Sequence, residues 1–291
     1  SGRMAFTTDS YVVQPTFFPG GNIGKLAVCG TVNDLAMNGA VPQYLSCGLI
    51  LEEGLPFDEL ETILSTMSDM AKLANVQIVT GDTKVVKKGE VDKIYINTAG
   101  IGMIPDGINI GPNFVKPNMD IILSGSIGDH SIAVMGQRFG LELSDSVKTD
   151  CAPLNHMVHA VLNAVGPQVA LLRDPTRGGV GTVLKEIAEQ SQVGIKVEES
   201  KLIIHDEVRS VCDILGYDPL YLANEGKVVL VVEPEVTDQV LQVLHGFEEG
   251  KEAVLIGKTL DKNIGKVGLQ TSIGGVRLVD LLGEDQVPRI C

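Results

Sequence analysis

The chain has 291 residues, a net charge of −14 and no tryptophan, a length that suits one large domain or two ordinary ones. Its 44% hydrophobic and 21% charged residues are typical of a globular protein with a normal core. The acidic excess and the low aromatic content argue against nucleic-acid binding, and no segment has the length and apolarity of a membrane span. No signal peptide is recognisable, so we expect a cytoplasmic protein.

The predicted elements of the first third alternate between strand and helix. Phe6–Asp9 has the pattern of a strand end, and Asn22 is placed to cap a helix from Ile23 to about Asn38, before Gly39. Pro56 begins a second helix. The pattern then predicts a short buried strand over 76–79 and a longer strand over 94–104.

A segment rich in turn-forming residues, 105–118, predicts a domain boundary. The rest of the pattern predicts strands over 121–124, 228–232, 253–256 and 266–270 and helices over 132–139, 154–165, 180–190, 206–215 and 235–244. This alternation predicts an α/β (α+β) fold with two domains, over 1–110 and 111–282, and leaves 283–291 as a mobile tail.

The five cysteines lie at positions 29, 47, 151, 212 and 291. Their odd number and the lack of a Cys-x-x-Cys pair argue against a disulfide framework or a zinc site and favour reduced thiols in a cytosolic protein. Cys29 and Cys212 fall within apolar helical patterns, so we expect both to be buried.

Three aspartates occupy positions that suit metal ligands. Asp9 follows a predicted strand, Asp34 interrupts an apolar helix, and Asp82 follows the predicted strand 76–79. Carboxylates gathered from several elements, together with substrate phosphates, are the usual ligands of Mg²⁺, and a magnesium-bound nucleotide is compatible with an acidic chain. On the residues alone, turn-forming or capping roles remain the alternative.

Two basic positions suit phosphate groups. Lys84 follows Asp82 by two residues and shares its face in an extended segment, although Lys87 and Lys88 nearby also fit an exposed basic stretch. Arg177 and Gly178 lie in a glycine-rich turn that opens a helix, where free N–H groups attract anions. A tight left-handed turn that requires glycine explains the same residues.

Two further residues suit acid–base or thiol chemistry. Glu225 precedes the strand 228–232 and is a candidate general base if it is desolvated, although an ordinary turn carboxylate is the alternative. Cys291 ends the chain after Gly283 and Pro288, and a thiol on a flexible segment can carry a reactive group. The eight steps from Gly283 to Cys291 span roughly 26 Å when extended, enough to reach a site and to leave it.

These residues lie in stretches that resemble the HypE family of hydrogenase maturation factors, within the superfamily of aminoimidazole ribonucleotide synthetase (PurM) and selenophosphate synthetase. The resemblance covers nearly the whole chain, and the NEG segment and terminal PRIC single out this family. The matching stretches are FTTDS (6–10), FFPGGNIGKLAVCGTVNDLAMNGA (17–40), GDTKVV (81–86), GDHSIAVM (128–135), RDPTRGG (173–179), ANEGK (223–227) and PRIC (288–291).

The resemblance implies a PurM-like fold, with an N-terminal domain that dimerises through its sheet and a C-terminal α/β domain. It also implies ATP and Mg²⁺ as cofactors. Carried over by motif, the metal ligands are Asp9, Asp34 and Asp82, the nucleotide contacts are Asn33, Asp34, Thr83, Lys84, Arg177 and Gly178, and the catalytic residues are Cys291, Glu225 and Lys84.

The family activity implied is an ATP-dependent dehydration on the protein's own terminal cysteine. The partner HypF places a carbamoyl group on Cys291, the S-carboxamide is dehydrated to a thiocyanate, and the cyanide passes to iron on the HypC–HypD complex. Two alternatives stay open: a PurM-like kinase or synthetase acting on a free small molecule, and a non-catalytic cyanide carrier.

The family pattern begins with a glycine-rich loop and an acidic segment that contact ATP. Both would lie before residue 1. We therefore expect this polypeptide by itself to hydrolyse ATP weakly or not at all.

Overall fold

The computed structural model describes residues 2–141, 143–144, 146–283 and 286–291. The N-terminal part is built on a four-stranded sheet in the order β1-β6-β4-β5, in which β4 and β5 run parallel and the other neighbours antiparallel. Its elements are β1 (Arg3–Tyr11), β2 (Phe17–Phe18), β3 (Gly21–Asn22), α1 (Ile23–Met37), β4 (Val41–Glu52), α2 (Phe57–Leu73), β5 (Gln77–Val86) and β6 (Ile94–Ile104).

The C-terminal part is built on a seven-stranded sheet in the order β13-β12-β9-β11-β7-β10-β8. Its strands are β7 (Asp120–Leu123), β8 (Val169–Arg173), β9 (Gly194–Glu198), β10 (Val229–Val232), β11 (Val254–Leu260), β12 (Val267–Gln270) and β13 (Val276–Val279). Its helices are α3 (Asp129–Phe139), α4 (Asn155–Val165), α5 (Gly179–Gln190), α6 (Asp206–Leu215) and α7 (Thr237–Leu244). The predicted mixed α/β class is confirmed.

The strands of the larger sheet are apolar on both sides because helices cover both faces. Along β7 and β10, side chains alternate between the two faces. Ile121 and Val229 pack in the core that includes α5, whereas Ile122 and Leu230 pack in the core that includes α4 and α7. Continuous burial of this kind explains why these strands read as unbroken apolar runs in the sequence.

Helix α1 is the central element of the junction between the two parts. Asn22 caps it as predicted, its side-chain oxygen accepting from the N–H groups of Gly24 (2.9 Å) and Lys25 (3.3 Å). The helix is apolar almost all round because it packs on the first sheet and also contacts α4 and β8 of the C-terminal part. It therefore carries Asn33 and Asp34 into the junction.

The other face of the four-stranded sheet has no helix on it among the described residues. The pairing register places Phe6, Ile101 and Tyr44 side by side on this face, and all three are substantially exposed, Phe6 by 68%. We call this surface the open face; it also includes Met4 and Ile50. Contiguous exposed apolar side chains of this kind mark interaction surfaces.

The structure corrects the prediction of a short buried strand over 76–79. Strand β5 extends to Val86, and its side chains are exposed because it lies at the sheet edge with β4 as its described neighbour. Asp82, Thr83 and Lys84 therefore lie within a strand and not after its end. Likewise β1 continues past Asp9 to Tyr11.

The helices predicted from periodicity are confirmed to within about three residues at their ends, and Cys29 and Cys212 are buried in α1 and α6. Strands β2, β3, β4, β8, β9 and β13 were not predicted. β4 mixes buried, half-buried and exposed positions irregularly, and β13 has three exposed positions followed by one buried position, so the sequence lacks a period-two signal in both strands. Among the described residues, none forms a helix long and apolar enough to cross a membrane.

Candidate active site

A group of carboxylates lies where α1 meets β1. Side chains of alternate β1 residues face α1, and the Thr7 hydroxyl donates to Asp34 Oδ2 at 2.9 Å. Asp9, two residues further along, shares that face. Burial, then the nearby Asp174, raises the pKa of Asp34 to about 7, with Asp9 adding to the rise and the Thr7 hydrogen bond opposing it.

Asp174 is a member of this group that sequence reasoning missed. It follows β8 within RDPTRGG, and burial raises its pKa, as does the negative charge of Asp9, while Arg173 opposes the rise. A carboxylate directly after a buried strand is a usable signal, but in this segment only Arg177 and Gly178 were predicted as site residues. Asp34 and Asp174 line a cavity of about 410 Å³ with Thr7, Asn38, Gly111, Arg173, Thr176 and Glu186.

The glycine-rich turn before α5 requires its glycines. Gly178 has φ 75° and Gly179 has φ 61°, and a Cβ on Gly178 would lie 2.2 Å from Thr182 Oγ1. The left-handed turn therefore explains Gly178 by itself, and a nucleotide contact there stays a prediction. The Arg177 side chain lies close enough to the chain terminus for its positive charge to lower the pKa of the Cys291 thiol.

Glu225 is buried, with 4% of its surface exposed, and its Oε1 has no hydrogen-bond partner among the described residues. Burial raises its pKa well above the usual range, and the negative charges of Asp150, Asp174 and Asp9 add to the rise. Its main chain is fixed, since its N–H donates to Asp150 Oδ1 at 3.1 Å. The packing beside it is tight, because a Cβ on Gly226 would lie 1.8 Å from the Asp150 carbonyl oxygen.

The structure places Cys291 near Glu225. The thiol is half-buried, and its pKa is raised to about 12 by burial and by the Glu225 charge, while Arg177 opposes the rise. Ile290 beside it is buried in the core that includes β1 and α1. The described part of the predicted tail is thus docked, whereas residues 284 and 285 lie outside the described residues and tail mobility stays a prediction.

Asn33 holds the two parts of the chain together. Its Nδ2 donates to the carbonyl oxygens of Ala152 (3.0 Å) and Glu225 (3.3 Å), and its Oδ1 accepts from the Leu154 N–H at 2.7 Å. Because protein groups use its hydrogen-bonding atoms and the residue is 2% exposed, the structure favours a structural role over the predicted nucleotide contact.

The fold of a single chain does not bring three predicted site residues to this group of carboxylates: Asp82, Thr83 and Lys84. β5 and β1 form opposite edges of the sheet, so three strand spacings, roughly 14 Å, separate them. Asp82 and Lys84 project from the open face and form an exposed ion pair of 2.9 Å, whereas Asp9 faces α1. Among the described residues, no three His, Cys, Asp or Glu side chains converge to hold a metal ion.

Comparison with known proteins identifies the family. Residues 1–104 match the N-terminal domain model of AIR synthase related proteins, and residues 116–270 match the C-terminal domain model. A protein of Rhizobium leguminosarum bv. viciae named carbamoyl dehydratase HypE is 50% identical over 290 residues, covering 100% of this chain and 83% of the relative. This chain belongs to the HypE family.

Two solved structures of HypE proteins superimpose closely. A HypE in complex with ATP is 46% identical, with a TM-score of 0.96 over 100% of this chain and 88% of that chain. HypE in a HypE–HypF complex is 47% identical, with a TM-score of 0.92 over 96% of this chain and 90% of that chain. The family resemblance carried by the sequence motifs and the predicted PurM-like fold are therefore confirmed.

Proposed function

We propose that this protein is an ATP-dependent carbamoyl dehydratase whose substrate is the S-carboxamide on its own Cys291. The observation that carries the proposal is the position of the terminal thiol, docked near the buried Glu225 and the charge of Arg177. The HypE name of the relative and the ATP-bound HypE structure support the same activity.

The reaction has a balanced form. The carboxamide oxygen attacks the γ-phosphorus of ATP, the bond to ADP breaks, and the nitrogen loses one proton. Loss of the phosphorylated oxygen as phosphate, with the second nitrogen proton, leaves a thiocyanate on sulfur. Phosphorylation converts an oxygen that is a poor leaving group into a good one.

Glu225 is the residue we assign as base. Burial raises the pKa of Glu225 well above the usual range, so in its ionised form this carboxylate is a stronger base than an exposed glutamate. Its Oε1, which has no partner among the described residues, is free to accept a proton from the adduct on Cys291. Arg177 beside the thiol offers positive charge to the phosphorylated oxygen.

The acidic group fits a magnesium-bound nucleotide. Burial raises the pKa values of Asp34 and Asp174, and neighbouring carboxylates add to the rise, so a divalent cation would offset the negative charge gathered there. Mg²⁺ is commonly held by one or two carboxylates plus phosphates and water, so the lack of a three-residue cluster in the described chain does not conflict with it. When bound, Mg²⁺ would neutralise phosphate charge, and one or two of the carboxylates of Asp9, Asp34 and Asp174 would hold it, together with phosphates and water.

We also propose a homodimer formed through the open face. Phe6, Tyr44, Ile50 and Ile101 on that face are exposed apolar side chains. Because Asp82 and Lys84 project from the same face, a partner would bring them towards a second subunit. In this arrangement Asp82 and Lys84 would serve the nucleotide site of the partner subunit, whereas Thr83 points to the other face of β5 and its nucleotide contact stays a prediction.

The partners we propose are HypF, which is seen bound to a HypE in a solved structure, and a HypC–HypD complex that accepts the cyanide. Both need access to Cys291, which is half-buried in the docked tail. The tail must therefore leave its dock at least twice in each cycle, once to receive the carbamoyl group and once to give up cyanide.

Phosphate release in a single turnover tests the proposal. Full-length protein carbamoylated on Cys291 is mixed with ATP, and we expect one phosphate per chain for the wild type. Glu225→Gln should lower the rate by roughly 10²-fold or more, the usual contribution of a general base. The matched change at the exposed Glu235, Glu235→Gln, should leave it unaltered.

The same assay separates the two alternatives. An enzyme acting on a free small molecule would turn over normally as Cys291→Ala. A non-catalytic cyanide carrier would release no phosphate from ATP even when carbamoylated.

A further inference from the structure

The docked tail is held by its main chain. The Cys291 carbonyl accepts from the Val12 N–H at 3.3 Å, and the Arg289 carbonyl accepts from the Gln14 N–H at 3.3 Å. The last residues of the chain thus pair with the segment that follows β1. Two long hydrogen bonds of this kind are weak by themselves, so other contacts must fix the position of the thiol.

Arg138, near the end of α3, provides the strongest of these contacts. Its Nη1 and Nη2 donate to the carbonyl oxygens of Pro288 (2.8 Å) and Arg289 (2.7 Å), and its Nε donates to the Gln14 carbonyl oxygen at 2.8 Å. One guanidinium therefore clamps the tail and the segment with which the tail pairs. Charge-assisted hydrogen bonds of this length are among the strong ones.

His130, at the start of α3, holds the next carbonyl. Its Nε2 lies 2.9 Å from the Ile290 carbonyl oxygen, and its Nδ1 lies 2.7 Å from Thr149 Oγ1. Because a carbonyl can only accept, we assign the proton to Nε2, and Nδ1 then accepts from the Thr149 hydroxyl. That hydroxyl in turn accepts from the Cys151 N–H at 3.0 Å, which fixes its direction.

These contacts lie directly beside the reactive end of the chain. His130 and Arg138 bind the three carbonyls that precede Cys291, those of residues 288, 289 and 290. Arg289 has φ 53°, a left-handed conformation that side chains other than glycine rarely adopt, and its guanidinium pairs with Asp92 of the N-terminal part. The tail is thus bent at Arg289 and gripped by both parts of the protein.

We propose that His130 and Arg138 form a latch that holds the C-terminal tail by its main-chain carbonyls and so positions the Cys291 thiol against Glu225. They are positioning residues, acting through the tail and not on the adduct itself. The proposal deepens the proposed function and rests on it. Opening of the latch exposes the thiol to partners, and closing it restores the geometry for dehydration.

The burial of the latch explains why the docked state is favoured. His130 is fully buried, and burial lowers its pKa, so the ring is neutral and carries a single N–H. If the tail leaves, that N–H loses its acceptor and the buried Ile290 side chain loses its core contacts, and both losses cost free energy. The latch therefore draws the tail back after each release.

Alkylation of the native full-length protein by iodoacetamide, without ATP or a carbamoyl donor, tests the latch. The rate at Cys291 is measured by peptide mass spectrometry, with the buried Cys29 and Cys212 as internal reporters of unfolding. The docked thiol reacts slowly because its pKa is about 12 and thiolate is the reactive form. Two variants weaken the latch: Arg138→Ala removes the guanidinium, and Thr149→Val removes the hydroxyl that keeps the His130 proton on Nε2. Each should speed the alkylation of Cys291 about tenfold or more, the factor expected for the loss of one strong hydrogen bond.

Arg209→Ala, at an exposed arginine of α6, is the matched control and should leave the rate unaltered. Arg138→Lys, which keeps the charge but not the fork, should restore part of the protection. An unchanged Cys291 rate in both Arg138→Ala and Thr149→Val would overturn the proposal, as would equal acceleration at all three cysteines. Because the assay needs no dehydration, its outcome is independent of whether the proposed function holds.

Discussion

The carboxyl group of Asp34 should make the stability of the protein depend on pH near neutrality. Its pKa is about 7 in the folded chain against 3.8 for the unperturbed group, so the folded chain binds this proton more tightly. The stability from this group is complete below about pH 4 and is lost as the pH rises through about 7. Asp34→Asn removes the charge and keeps an oxygen that can accept from Thr7, so it should remove this dependence.

The size of the effect follows from the shift. A pKa of about 7 instead of 3.8 corresponds to roughly 4 kcal/mol at about 1.4 kcal/mol for each pH unit. Solvent reaches this half-buried group, so we expect Asn to raise the free energy of unfolding at pH 8 by roughly 2–4 kcal/mol relative to wild type. At pH 4 the two proteins should differ little.

Urea unfolding followed by circular dichroism at pH 4, 6 and 8 measures this difference. Asp261→Asn, at an exposed aspartate, is the control and should shift stability by less than about 0.5 kcal/mol at every pH. A difference between Asp34→Asn and wild type that is the same at pH 4 and pH 8 would refute the raised pKa of Asp34. Saturating Mg²⁺-ATP should reduce the advantage of Asn, since the wild-type carboxylate would then have a counter-ion.

Two further predictions test other parts of the account. Phe6→Glu should convert a dimer to a monomer in sedimentation velocity, because the interface would bury a charge on the open face without a partner. The control Phe57→Glu, at a side chain of α2 that is 88% exposed, should leave the dimer intact. A dimer that persists in Phe6→Glu would contradict the assigned interface. Asn33→Leu should lower the free energy of unfolding by about 2–4 kcal/mol, because three hydrogen bonds are lost. Titration calorimetry of the folded variant at low temperature should give an ATP affinity within about threefold of wild type. A selective loss of ATP affinity would restore the nucleotide role predicted for Asn33.

The sequence predicted those parts of the fold whose signals are local. The helix capped by Asn22 and the apolar strand around Val229 were predictable because capping and burial leave marks in neighbouring residues. The sheet order was not predictable. That order separates Asp82 from Asp9, although both lie in similar short motifs, because β5 and β1 occupy opposite edges.

The site itself was predictable in part. Cys291 and Glu225 stood out by position and neighbours, and the structure brings them together. Asp174 and the latch residue Arg138 were missed, because a carboxylate before Pro175 and an arginine near a helix end look ordinary until the tail is seen beside them. Long-range contacts of this kind, between residues 138 and 288, leave no local pattern.

The central claim is that the terminal thiol carries the group on which the enzyme acts. The most direct measurement is the mass of the C-terminal peptide from full-length protein incubated with HypF, carbamoyl phosphate and ATP. We predict a carboxamide on Cys291 that loses the mass of one water when ATP is present and keeps it when ATP is withheld or Glu225 is replaced by Gln. An unmodified Cys291, or loss of water without ATP, would contradict the account.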